Sequence, residues 1–134
     1  MKIYCDTCIY RDVFEGRKGR WIDFGEVALN VFRQVKSKEY TLIISDWVID
    51  EFKKYKDEKI LLEFIKKFEK DSVIIIERTK EDEEEARKLS KTNYPDALHV
   101  VLARKENAIY LVTRNINDFA EFRNLIEITR PELL

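Results

Sequence analysis

A chain of 134 residues is long enough for one domain with a real core. Its 45% apolar and 38% charged composition is that of a soluble globular protein and excludes a disordered one. A net charge of −1 excludes a global basic field for nucleic acid, two cysteines exclude a disulfide framework, and no apolar run approaches the roughly 18 residues of a membrane span.

The segment Met1-Lys2-Ile3-Tyr4-Cys5-Asp6 turns acidic too soon for a signal peptide, so a cytoplasmic protein is expected. Lys2 to Cys5 reads as a strand that turns at Asp6, with Thr7 as cap of a helix from Cys8 to Phe14. Glu15 to Arg20 is a basic loop broken by glycines. Trp21 to Ser37 reads as a helix with Val31, Phe32 and Val35 on its apolar side. Thr41 to Ser45 is a β-branched run, expected to be covered on both faces. A helix from Asp46 to Tyr55 follows, then one from Asp57 to Phe68, then a strand from Ser72 to Ile76. Thr79 is placed to cap a helix from Lys80 to Ser90. Asp96 to Glu106 reads as a helix with apolar residues on nearly every face, hence buried between layers. Ile109 to Thr113 is a strand, Phe119 to Arg123 a helical turn, and Leu125 to Ile128 an edge strand.

Strands that are apolar runs and alternate with helices predict a single α/β domain over residues 1–134, with a mostly parallel sheet of four to five strands. Sites in such sheets form beyond the carboxyl ends of the strands. Acids gather there: Asp6 after the first strand, Glu51 after the second, Asp118 after the fourth, and Asp96 at the start of the buried helix. Glu51 lies among Val48, Phe52 and Tyr55 on an apolar helix face, where a carboxylate is costly unless something pairs with it. Each acid also has an ordinary reading, as a helix cap, a turn residue or a side chain reaching to water. Together they would repel, and a hard cation such as Mg²⁺ or Mn²⁺ resolves this with oxygen ligands. Its remaining water can attack a phosphodiester. No phosphate-binding glycine loop, nucleophile elbow or zinc spacing competes with this reading.

Four stretches, in this order, resemble the PIN-domain ribonucleases: Cys5-Asp6-Thr7-Cys8-Ile9-Tyr10, Ser45 to Glu51, Pro95-Asp96-Ala97-Leu98-His99, and Leu111 to Phe119. The resemblance spans the chain. It implies a three-layer α/β/α sandwich and Mg²⁺- or Mn²⁺-dependent cleavage of single-stranded RNA. Asp6, Glu51 and Asp96 match the family's main acids. Asn115 stands where many relatives carry Asp, and Asp118 is the nearby acid for that fourth place. Thr7 and Thr113 would orient the acids. The chain's size fits the VapC-like toxins of this family, which implies an antitoxin partner and a homodimer.

His99, the sole histidine, could touch substrate or be a hydrogen-bonded core residue. Arg17, Lys18, Arg20 and Arg114 are candidate phosphate contacts, and Tyr10, Trp21 and Tyr94 candidate base-stacking rings. Two rival readings remain open: a non-catalytic PIN-like interaction module, and a thiol-redox protein using Cys5 and Cys8 as a C-x-x-C pair.

Overall fold

Five short strands form the sheet: β1 (Lys2–Cys5), β2 (Thr41–Ser45), β3 (Val73–Ile76), β4 (Tyr110–Val112) and β5 (Glu127–Thr129). The computed structural model describes residues Met1–Leu134. All pairs are parallel, in the order β3-β2-β1-β4-β5. Ile3 pairs in register with Leu42 on one side and Tyr110 on the other. The central strands are buried because both faces are covered, which is why they read as continuous apolar runs.

Six helices and three 3₁₀ turns connect and cover the strands: α1 (Thr7–Glu15), α2 (Phe24–Lys36), α3 (Asp46–Phe52), α4 (Glu58–Lys66), α5 (Lys80–Leu89) and α6 (Tyr94–Lys105). The result is the expected three-layer α/β/α sandwich. Tyr10, Phe14, Phe32, Phe52, Phe64 and Phe68 form one aromatic cluster joining α1 to α4, with most ring centroids between 5.0 and 5.7 Å apart. Edge-to-face contacts of this kind add to the area they bury. Helix α6 is buried from Ala97 through Ala103, matching its apolar residues on every face. Gly16 closes α1 at φ 57°, a left-handed turn glycine adopts without strain. Gly25 lets the start of α2 approach α1, since a Cβ there would stand 2.9 Å from the Asp12 carbonyl.

Several boundaries differ from expectation. Asp6, not Thr7, occupies the cap position of α1, and Thr7 is already helical. Helix α2 starts at Phe24 because Asp23 accepts a hydrogen bond from the Glu26 amide, leaving Trp21 outside and 85% exposed. Helix α3 ends at Phe52, so Tyr55 leaves the apolar face assigned to it and is 53% exposed. Helix α6 starts two residues early, with Pro95 in its first turn, where a missing amide hydrogen costs nothing. The last strand falls at Glu127–Thr129 rather than at Leu125 to Ile128.

Candidate metal centre

The sheet order reverses direction at β1, with β2 on one side and β4 on the other. A crevice forms beyond the strand ends at such a switch point. The cleft found there is lined by Asp6, Thr7, Cys8, Arg11, Glu51, Lys54, Tyr55, Asp96 and Asn115.

Asp6 follows β1 directly, and its amide continues the ladder to the Val112 carbonyl at 2.9 Å. Its carboxylate does not cap α1. It accepts instead from the Thr113 hydroxyl at 2.9 Å, while the Cys8 thiol lies 3.4 Å from the same oxygen. Thr113 in turn accepts from the Asn115 amide at 3.0 Å, which ties the loop after β4 to Asp6.

Glu51 comes from α3, whose start is fixed by Ser45: its hydroxyl accepts from the Val48 amide at 3.2 Å. One carboxylate oxygen, Oε1, accepts from the Thr7 hydroxyl at 2.6 Å and meets His99 Nε2 at 2.6 Å. Oε2 receives no hydrogen bond. Burial acts to raise the Glu51 pKa, but the bond and charge of His99 outweigh it and hold the group below its ordinary value.

His99 is fully buried and is the hub of a chain of polar groups. Its Nδ1 lies 2.7 Å from the Tyr4 hydroxyl, which lies 2.7 Å from the Ser45 hydroxyl. Nε2 carries a proton toward Glu51, and the Tyr4 hydroxyl links Nδ1 to Ser45, as donor to a neutral ring or as acceptor from a protonated one. Every member is satisfied in either state. Burial lowers the His99 pKa, while Glu51, then Asp6 and Asp96, raise it by more. The two readings offered for His99 therefore merge: it is a hydrogen-bonded core residue whose far nitrogen faces the acids, 3.5 Å from Asp6.

Asp96 is half-buried at the start of α6. Burial pushes its carboxyl up to about 6, and the negative charges of Asp6 and Asp118 add to the shift. Asp118 is exposed on the 3₁₀ turn Ile116–Phe122 and lines an adjoining hollow with Arg114 and Arg130. Asn115 lines both that hollow and the cleft of the three acids. The fourth position of the cleft is thus an amide, with Asp118 felt through space.

The expected substrate contacts are largely relocated. Arg114 is not free for a phosphate: its Nε and Nη2 donate to Asp12 at 2.6 and 2.8 Å. Asp12 is a fully buried carboxylate that would be costly without this pair. Arg17 is held by Glu15 at 2.8 Å. Tyr10 is buried and cannot stack on a base, and Tyr94 donates to Glu83 at 3.3 Å. Lys18, Arg20 and Trp21 are exposed but stand outside the cleft. Arg11, Lys54 and Tyr55 were missed. For Arg11 the signal lay in the spacing, since it is four residues after Thr7 on the same face of α1, whereas Lys54 and Tyr55 lie in the turn after α3, where helical spacing no longer applies. Both thiols have raised pKa values, by burial first and Asp6 second, which works against redox chemistry at Cys5 and Cys8.

A three-layer parallel α/β domain with an acid cleft at the end of its central strand defines the class: the fold is PIN-like, as the resemblance implied. The same fold occurs in solved toxin–antitoxin structures. One is VapBC2 from Rickettsia felis bound to a DNA fragment from its promoter, at 22% identity, TM-score 0.64, covering 97% of this chain and 98% of that one. A second is a toxin–antitoxin complex from Klebsiella pneumoniae, at 22% identity and TM-score 0.59, covering 96% and 97%. A third is FitAB bound to an IR36 DNA fragment, at 14% identity and TM-score 0.62, covering 98% and 96%. No protein-family model and no curated protein matches the sequence, so the likeness is one of fold.

Proposed function

We propose that this protein is a Mg²⁺- or Mn²⁺-dependent endoribonuclease that cuts single-stranded RNA. The observation that carries the reading is the convergence of Asp6, Glu51 and Asp96, from three separate elements, on one cleft. The donor set fits a hard cation: carboxylate oxygens, with the Glu51 Oε2 free of hydrogen bonds and the Asp96 carboxyl pushed up to about 6 by burial and the nearby acids. Asp6, Glu51 and Asp96 would hold the ion, with the Asn115 amide and the more distant Asp118 at its open side. When bound, Mg²⁺ or Mn²⁺ supplies a water acidic enough to attack a phosphodiester and positive charge against the leaving oxygen.

The remaining work falls to the chain itself. Thr113 fixes the Asp6 carboxylate, and Thr7 with His99 fixes that of Glu51, so both acids face the cleft without rearrangement. Tyr4 and Ser45 hold the His99 ring. By analogy of fold, we further propose that the protein is the toxin of a toxin–antitoxin pair, held inactive by an antitoxin, and that it works as a homodimer in the cytoplasm. No helix is long and apolar enough to cross a membrane.

The test is cleavage of a mixed-sequence single-stranded RNA by purified protein, with Mn²⁺ or with chelator, beside Asp96→Ala. Cutting that needs the metal and vanishes in the variant is expected. Absence of cutting, with no effect of Mn²⁺ on melting, would replace this reading with the interaction module.

A further inference from the structure

The acid cleft has a second wall of opposite character. Helix α1 contributes Arg11, and the turn after α3 contributes Lys54 and Tyr55. The Arg11 guanidinium carbon lies 3.4 Å from the centroid of the Tyr55 ring, so cation and ring form one stacked unit. Arg11 also donates to Glu15 at 3.2 Å, but that one carboxylate is shared with Arg17, which it holds more closely at 2.8 Å. Tyr55 is 53% exposed although it is a large aromatic residue. Lys53 next to Lys54 pairs with Asp50 and Glu58, whereas Lys54 pairs with no acid. A half-exposed ring stacked on an arginine is unusual for a solvated surface, and Lys54 adds a cation next to it beside Glu51. They are the groups a nucleic-acid strand requires: cations for phosphate and a flat face for a base.

We infer that Arg11, Lys54 and Tyr55 form the strand-binding wall of the cleft, which seats a phosphate and the adjoining base of single-stranded RNA beside the acids. This rests on the nuclease reading above for the identity of the strand. The argument from charge is that the three acids repel a polyanion, and no other cation lines the cleft to draw one in. The argument from form is that the ring sets an orientation that lysine alone, a point charge on a flexible stem, does not.

Binding and cutting are tested separately. A fluorescent single-stranded RNA is titrated with the Asp96→Asn protein, which does not cut, and the same titration is repeated after adding Lys54→Gln, Arg11→Gln or Tyr55→Ala. Each added change is expected to weaken binding about tenfold. Lys54→Gln lowers the salt slope of log K by about 0.7, and Lys54→Arg restores both. In cutting-competent protein the same changes raise KM, and the Mn²⁺ shift in melting temperature stays as in the wild type, which shows an intact fold and acid cluster. RNA affinity within twofold of the parent for all three changes would overturn the inference, whatever the wild type cuts. Weakened binding in a protein that never cuts would keep this wall and reject the nuclease instead.

Discussion

Asp96 is the residue on which the fold and the proposed function pull in opposite directions. Its carboxyl is pushed up from 3.8 to about 6 by burial and then by neighbouring charge. A folded pKa above the unfolded one stabilises the fold at pH below 3.8, and that contribution is lost as pH rises through about 6. At neutral pH the metal-free protein therefore carries a destabilising charge. Asp96→Asn should raise metal-free stability by about 1 kcal/mol at pH 7, after discounting for partial exposure. Urea midpoints in chelator measure this, and a lower midpoint for the variant would count against the assigned repulsion. The pair Arg114–Asp12 behaves in the opposite sense. Arg114→Ala leaves a buried carboxylate without its main partner and should cost about 3 kcal/mol or more. If urea denaturation showed a loss under 1 kcal/mol, Asp12 would have to be satisfied by Arg17, now 3.9 Å away.

At the level of elements, the clearest local signals were also the most reliable. Thr79 caps α5 as expected, and the structure adds the reciprocal bond, in which the Thr79 amide donates to the Asp82 carboxylate at 2.9 Å. Thr79→Ala should therefore cost about 1 kcal/mol in a thermal melt, with cleavage per folded molecule unchanged. The apolar runs located four of the strands to within a residue or so, because burial on both faces leaves no polar alternation to confuse. The short edge strand β5 carried a weaker pattern and was misplaced. Tyr55 misled for a physical reason: helical spacing from Val48 holds only while the helix continues, and α3 stops at Phe52. Thr7 misled because a threonine after an aspartate reads as a cap, whereas its hydroxyl bonds Glu51, 44 residues away. Arg114 and Asp12 are 102 residues apart, and nothing local in either segment announces that they pair. Asp6 and Glu51 were legible through their positions after strands, and Asp96 through its place at the start of a buried helix. Their hydrogen-bond partners were only partly so, since Tyr4 and Ser45 read simply as strand residues.

At the level of the whole molecule, the cleft exists because the sheet switches direction at β1, and the three acids reach it from the end of β1, from α3 and from α6. Asp96, raised to about 6 by burial and by the charges of Asp6 and Asp118, weakens the metal-free fold at neutral pH, and a cation that binds only the folded state must strengthen it. At a Mn²⁺ concentration about 100 times its Kd, the linkage contributes about 2.7 kcal/mol. For a domain of this size that corresponds to a rise of roughly 10 °C in melting temperature. Chelator should reverse the rise. It should also shrink as pH falls below about 6, where Asp96 takes up a proton in competition with the metal. Asp6→Asn, Glu51→Gln and Asp96→Asn should each remove most of the response. Asp118→Asn should keep most of it, because Asp118 lies in the adjoining hollow and acts on the cleft only through space. Loss of the response in Asp118→Asn, to the same degree as in Asp96→Asn, would instead make Asp118 a direct ligand, drawn into the cleft when the metal binds.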